Sequence, residues 1–183
     1  REFVRLAEGG IQEISPEAFG RALAAIHFMQ QRIEEYGVSK VRASGTAALR
    51  TASNGPHFIR QVKELTGIDV QVITGKEEAR LIYLGVCQSI PPTDERFLIM
   101  DIGGGSVEFI ISENRQILWS HSFPVGVAVL YHHFHHHEPI LAAETAAVQH
   151  FLDQQLEPLH RALERYPTSY LVGAAGTFDV IEA

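Results

Sequence analysis

Apolar residues recur along the chain at two spacings, one typical of helices and one typical of strands. The first long run at helical spacing follows Ser15 and Pro16, and Gly37 comes after its last member. A serine cap, a proline in the first turn and a closing glycine are the usual limits of a helix. The pattern therefore predicts a helix over residues 16–36 whose apolar face is formed by Phe19, Leu23, Ile26, Met29 and Ile33.

Short strands are predicted between the helices of the N-terminal half. Residues 3–6 and 38–43 have strand composition, and apolar and polar side chains alternate over residues 68–72. Further helices are predicted after Asn54, ending at Gly67, and over residues 77–86. Strands that alternate with helices indicate an α/β fold.

In the C-terminal half, two apolar strands surround a glycine turn. Residues 97–100 and 107–111 are separated by a segment too short for a crossover helix, so an antiparallel hairpin is predicted. A third strand is predicted over residues 117–123 and a last one over residues 169–172. The stretch 138–165 between them is rich in helix-forming residues, and Pro158 must bend or divide it.

The composition indicates a folded protein without strong positive charge. Hydrophobic residues make up 45% of the 183 positions, and the formal net charge is −7. A negative total argues against general nucleic-acid binding, which depends on clustered Lys and Arg. No apolar run is long enough to cross a bilayer, and Cys87 is the single cysteine. We therefore expect a cytoplasmic protein that binds neither membranes nor nucleic acid.

The hairpin turn carries the residues best suited to chemistry. Glycines at 103–105 allow backbone N–H groups to approach an anion without obstruction by Cβ atoms, and Ser106 adds a hydroxyl. Asp101 and Glu108 flank the turn with carboxylates, which suit a hard cation such as Mg²⁺ that bridges protein and phosphate oxygens. A phosphate site with a metal is one interpretation, and an ordinary turn with solvated acids is the other.

Four segments in order resemble the exopolyphosphatase/guanosine pentaphosphate phosphohydrolase family. DIGGGSVE over residues 101–108 looks like the family's second phosphate motif. TAALR over residues 46–50 is similar to an early segment that ends in a phosphate-facing arginine, and TGKEEARL over residues 74–81 is similar to the segment with the catalytic glutamate. GAAGT over residues 173–177 resembles a later glycine-rich motif.

The resemblance implies a pair of ribonuclease-H-like domains of the actin-like ATPase type, facing each other across a cleft. Residues 1–81 would form the first domain and residues 82–183 the second. Nothing before Phe3 matches the family's first phosphate motif, and the family's second domain continues beyond a GAAGT-like segment. We therefore expect the N-terminal strands and the C-terminal part of the two domains to be missing from this sequence.

The resemblance also assigns roles to single residues. The catalytic glutamate, which activates water, falls on Glu78. The metal ligands fall on Asp101 and Glu108, with Mg²⁺ as the expected ion. The phosphate contacts fall on Gly103, Gly104, Gly105, Ser106 and Arg50, and further substrate contacts on Gly173, Gly176 and Thr177.

These roles imply an enzyme that removes terminal orthophosphate from inorganic polyphosphate. Guanosine pentaphosphate has the same terminal phosphoanhydride, so its hydrolysis is an open alternative that the motifs do not separate. A non-catalytic protein that binds polyphosphate or the guanosine alarmone is a second alternative. A homodimer is expected from the family.

Overall fold

A computed structural model of the chain describes residue 2 and residues 4–178. The chain folds into two compact units, Arg1–Thr74 and Gly75–Ala183. The division falls after Thr74, whereas the sequence led us to expect a boundary after Leu81. The segment that starts at Gly75 and carries Glu78 therefore belongs to the second unit.

In its described part, the first unit contains three helices and a small parallel sheet. Its elements are α1 (Pro16–Glu35), β1 (Ala43–Gly45), α2 (Ala47–Thr51), α3 (Gly55–Thr66) and β2 (Val70–Val72). Strands β1 and β2 are parallel, with Ala43 opposite Val70. The prediction of a strand at residues 3–6 is wrong for Val4 to Leu6, because Arg5 has a φ of 52° and the chain turns there. Phe3 lies outside the described residues.

Helices α1 and α3 form where the sequence pattern predicts them. The Ser15 hydroxyl accepts a hydrogen bond from the Ala18 N–H at 3.2 Å and so caps α1. Gly67 ends α3 with a left-handed φ of 70°, which glycine adopts without strain. The two helices pack through a buried cluster that contains Ala18, Phe58 and Val62.

The described part of the second unit is a four-stranded sheet with helices on both faces. Its elements are α4 (Gly75–Ser89), β3 (Phe97–Ile102), β4 (Val107–Glu113), β5 (Gln116–Phe123), α5 (Val127–Phe134), α6 (Ala142–Gln155), α7 (Glu157–Arg165) and β6 (Tyr170–Ala174). The strand order is β5-β4-β3-β6, with antiparallel pairs except for the parallel pair β3–β6. The predicted α/β class and the predicted hairpin are confirmed. The strand order agrees with the ribonuclease-H-like type that the resemblance implies.

Alternate residues of each strand point to opposite faces of this sheet. One face packs against α4 through a cluster that includes Ala79, Tyr83, Ile99 and Ile110. The other face packs against α5, α6 and α7 through Phe109, Phe123, Val125, Leu130, Phe151 and Leu159. The unit therefore has one hydrophobic layer on each side of the sheet.

The sequence predicted the division of α6 from α7 but did not predict helix α5. Pro158 separates α6 from α7 and lies in the first turn of α7, as its missing N–H favours. Helix α5 was not predicted, because its run of apolar residues has no polar cap and no clear helical period.

Among the described residues, no helix combines the length and the apolar character that crossing a bilayer requires.

Candidate functional site

The glycine turn between β3 and β4 has backbone N–H groups that remain available to a ligand. The Gly103 N–H donates to the Ser106 carbonyl at 2.9 Å and closes the turn. The N–H groups of Gly104, Gly105 and Ser106 have no acceptor within the part of the chain that the structure describes. Gly105 and Ser106 are nevertheless buried, and buried N–H groups nearly always have a partner. An anion bound at the turn would supply one.

The carbonyl groups of the same turn are bonded to the start of α5. The Val127 N–H donates to the Gly103 carbonyl at 3.0 Å, and the Ala128 N–H donates to the Gly104 carbonyl at 2.9 Å. A longer contact of 3.4 Å joins the Gly126 N–H to the Gly105 carbonyl. The first turn of α5 is thereby held against the carbonyl side of the glycine turn.

A pair of carboxylates lies beside the turn on the α4 face of the sheet. Asp101 and Glu108 are opposite each other on the antiparallel strands β3 and β4. Glu108 is only 2% exposed, and its Oε1 accepts hydrogen bonds of 2.6 Å from the hydroxyls of Ser106 and Ser122. Burial, and then the nearby charge of Glu108, raise the pKa of Asp101. Two acids held this close favour a cation between them or a shared proton.

Replacing Ser122 with alanine is expected to destabilise the protein, because the buried Glu108 would then keep only one hydroxyl donor. A lost hydrogen bond to a buried charged group costs about 1–3 kcal/mol. Urea unfolding followed by circular dichroism would measure this loss. The matched variant Ser89→Ala, at the exposed end of α4, is expected to change stability far less. Equal stability of the two variants would contradict this role for Ser122.

Glu78 lies in the first turns of α4, at the same end of the sheet as the glycine turn. The neighbouring Ala79 is fully buried in the cluster between α4 and the sheet. Tyr83, Leu84 and Cys87 of the later part of α4 line a pocket with Phe97, at the start of β3, and with Arg115. Gly75 and Lys76 line a groove along residues 117–122 of β5, so α4 starts toward the end of β5 that is nearest the glycine turn. That end of β5 contains Ser122, which is bonded to Glu108. Glu78, the carboxylate pair and the glycine turn therefore belong to one unit, and that they act on one anion stays a prediction.

Glu77, the neighbouring acid, is paired with Arg80. Its carboxylate accepts two hydrogen bonds from the Arg80 guanidinium, at 2.7 and 2.8 Å. This pairing holds the pKa of Glu77 below its usual value. Glu77 is thus a surface ion-pair residue on the helix, and its role differs from the one assigned to Glu78.

The remaining predicted residues are divided between the two units. Arg50 belongs to the first unit, where its guanidinium donates to the Ile73 carbonyl at 2.8 Å. In the second unit, the Thr177 hydroxyl donates to the Ile102 carbonyl at 3.2 Å. This bond fastens the segment after β6 to the end of β3, beside the glycine turn. A Cβ at Gly173 would lie 2.4 Å from the Phe178 ring, so glycine permits that ring to pack on the strand.

Among the described residues, no group of three or more His, Cys, Asp or Glu side chains is placed to hold a metal ion. The histidine-rich segment after α5 instead forms pairs, in which His135 contacts Glu138 and His137 contacts Glu144, both at 2.9 Å. Asp101 and Glu108 remain as a two-carboxylate set. Mg²⁺ suits such a set, because it keeps several waters and takes further oxygens from a bound phosphate.

The sequence pattern did not identify Ser122 or the first turn of α5 as parts of this site. The position of Ser122 opposite Glu108 follows from the β4–β5 register, which a bulge near Ile111 and Ser112 shifts by one residue. The signal for α5 was the Pro124-Val125-Gly126 sequence directly after a strand, which is typical of a tight turn.

The fold is that of a mixed α/β protein, and comparison with known proteins gives the family. A sequence model described as the Ppx/GppA phosphatase family matches residues 1–182. The chain belongs to this family.

Individual relatives agree with that result. A guanosine-5'-triphosphate,3'-diphosphate pyrophosphatase of Photobacterium profundum is 33% identical over 181 residues, which are 98% of this chain and 36% of the relative. The crystal structure of an exopolyphosphatase from Cytophaga hutchinsonii is 40% identical with a TM-score of 0.93, and the match covers 97% of this chain and 58% of that one. The Ppx/GppA enzyme of Aquifex aeolicus is 27% identical with a TM-score of 0.70, over 96% and 57% of the two chains. The sequence thus spans little more than half of these structures and about a third of the curated relative.

Proposed function

We propose that this chain is part of a phosphohydrolase that releases terminal orthophosphate from inorganic polyphosphate. The observation that carries the proposal is the set of three N–H groups at the glycine turn that lack an acceptor among the described residues, directly beside Asp101 and Glu108. Such N–H groups suit the oxygens of a terminal phosphoryl group. Both the family and the similar exopolyphosphatase structure support this reaction class.

Hydrolysis of a phosphoanhydride needs a water molecule in line with the leaving oxygen. In the proposal Glu78 accepts a proton from that water, since it is a partly exposed carboxylate at the same end of the sheet as the turn. Glu77 is instead paired with Arg80, to which both of its oxygens are bonded. The N–H groups of Gly104, Gly105 and Ser106 bind the phosphoryl oxygens, and the Gly103 N–H closes the turn that presents them. The Ser106 hydroxyl is directed to Glu108.

Asp101 and Glu108 would hold a divalent cation, with Mg²⁺ as the ion that fits two carboxylates and a phosphate. Asp101 offers the more accessible oxygens, while the buried Glu108 adds charge behind it. When bound, the cation neutralises charge on the transferred phosphoryl group. Arg50, Gly173, Gly176 and Thr177 are proposed as further contacts to the substrate. A cytoplasmic location and a homodimer belong to the same proposal.

Hydrolysis of guanosine pentaphosphate is the second candidate, and the pyrophosphatase of Photobacterium profundum favours it. Both substrates end in the same phosphoanhydride, so one assay must compare them. Phosphate release by the full-length protein would be measured on long-chain polyphosphate and on guanosine pentaphosphate at equal concentrations of terminal phosphate. A higher kcat/KM on polyphosphate is expected.

The same assay also separates an enzyme from a binding protein. Release of phosphate in a single turnover, with enzyme in excess, would show hydrolysis even where product dissociation is slow. Tight binding of polyphosphate without any release would overturn the proposed function and leave the non-catalytic alternative.

A further inference from the structure

Gly126, which precedes α5, lies against the outer side of the glycine turn. A Cβ at this position would lie 2.5 Å from the carbonyl carbon and oxygen of Gly104, and 2.6 Å from the carbonyl carbon of Gly105. Side chains do not approach backbone atoms this closely, so only glycine fits without moving the turn. The φ of Gly126 is −65° and its ψ is 165°, a conformation open to most residues. Glycine is therefore required at position 126 because there is no space for a Cβ atom, and its backbone conformation does not require glycine.

The contact with α5 fixes the direction of the turn's N–H groups. In a trans peptide the C=O and the N–H of one peptide group point in opposite directions. The carbonyls of Gly103, Gly104 and Gly105 accept from the first N–H groups of the α5 segment. The N–H groups in the same three peptides, those of Gly104, Gly105 and Ser106, must then point away from α5. They are therefore presented on the side of the turn opposite α5.

We infer that Gly126 and the first turn of α5 are positioning elements that aim the N–H groups of the glycine turn at the bound phosphate. The inference rests on the proposed function for the identity of the anion. The orientation of the turn, however, rests only on the hydrogen bonds and on the close approach at Gly126. Neither Gly126 nor α5 touches the phosphate in this arrangement, so their effect acts through the turn.

Two variants test the inference by different physical changes. Gly126→Ala places a methyl group where the Gly104–Gly105 peptide lies. Val127→Pro removes the N–H that donates to Gly103 and puts the proline ring in its place. Proline is well tolerated at the first position of a helix, and Val127 is 52% exposed, so α5 itself should persist.

Each variant has a matched control in the same unit. Gly85→Ala adds the same methyl group within α4, where a Cβ would meet no atom within 4 Å. Ala142→Pro makes the same kind of change at the first position of α6, after a residue with extended backbone conformation. Both controls are expected to behave as the wild-type protein.

Four measurements on the full-length protein separate positioning from simple loss of stability. Binding of inorganic orthophosphate by calorimetry and kcat/KM on polyphosphate should each fall about tenfold or more in both variants, since small misplacements of binding groups have large effects. Thermal unfolding should stay close to that of the matched controls. Hydrogen exchange at the amides of Gly103 and Ala128, which close the turn and bond it to α5, should become faster in both variants.

The outcomes distinguish this inference from the proposed function. Variants that bind orthophosphate and turn over polyphosphate as the wild type does would overturn the inference alone. A wild-type protein without hydrolytic activity would overturn the proposed function, and the exchange rates at the turn would then decide the inference. Unchanged exchange at the turn, or global unfolding of both variants, counts against it.

Discussion

Replacement of Glu78 by glutamine is expected to lower kcat on polyphosphate by about 10²–10⁴-fold, the usual contribution of a positioned general base. Glutamine has nearly the same shape and still accepts a hydrogen bond, but it cannot take the proton of the attacking water. KM should change little, because Glu78 is not among the groups that bind the phosphoryl oxygens. Steady-state kinetics on the full-length protein would measure both quantities.

The neighbouring Glu77 offers a close control for this variant. Glu77→Gln makes the same chemical change one residue away, on the same turn of α4, and breaks the ion pair with Arg80. Exposed pairs of this kind contribute little to stability, so kcat and thermal unfolding should stay near wild type. A large loss of kcat in Glu77→Gln together with a small loss in Glu78→Gln would contradict the proposed assignment.

The second large effect is expected for Asp101→Asn, which should reduce kcat by about 10²-fold, as removal of one electrostatic contact in an active site commonly does. The concentration of Mg²⁺ needed for half-maximal activity should rise as well. Mg²⁺ should also increase the unfolding temperature of the wild type more than that of the variant, because a ligand stabilises the folded state that binds it. Asp94→Asn, at an exposed position before β3, is the matched control and should respond to Mg²⁺ as the wild type does.

The same variant should be more stable than the wild type in the absence of metal. Burial and the charge of Glu108 raise the pKa of Asp101 above its ordinary value of 3.8, so its ionised form is unfavourable in the folded state. Between the unfolded and folded pKa values the folded protein binds more protons, and stability therefore decreases as pH rises through that window. Above the folded pKa the full penalty is present, and asparagine removes it. An unfolding temperature below that of the wild type would contradict this account.

The helix pattern and the hairpin were predictable because they depend on neighbouring residues. Ser15, Pro16 and Gly67 act within a few residues of their own positions, and the glycines at 103–105 specify a turn whatever surrounds them. The connection between the two apolar strands is too short for a crossover, so the strands pair with each other as an antiparallel hairpin. Local chemistry was therefore sufficient for these elements.

Helix α5 and the contact of Ser122 with Glu108 were not predicted from the sequence, because both depend on residues that are distant along the chain. Helix α5 has no capping side chain, and its first N–H groups are bonded instead to the glycine turn more than twenty residues earlier. Ser122 reaches Glu108 only through the strand register, and the bulge at Ile111 shifts that register. A sequence pattern contains neither the bonded partner nor the bulge. The local turn at Arg5 likewise overrode the strand composition of residues 3–6.

The division of the chain after Thr74 has a consequence for how the reaction centre is assembled. Helix α4 starts at the first residue after this division, and its buried side chains are fixed in the same core as β3 and β4. The proposed base and the proposed anion cradle are thus parts of a single framework. Their separation is set when this framework folds, and a hinge at residues 74 and 75 would leave it unchanged.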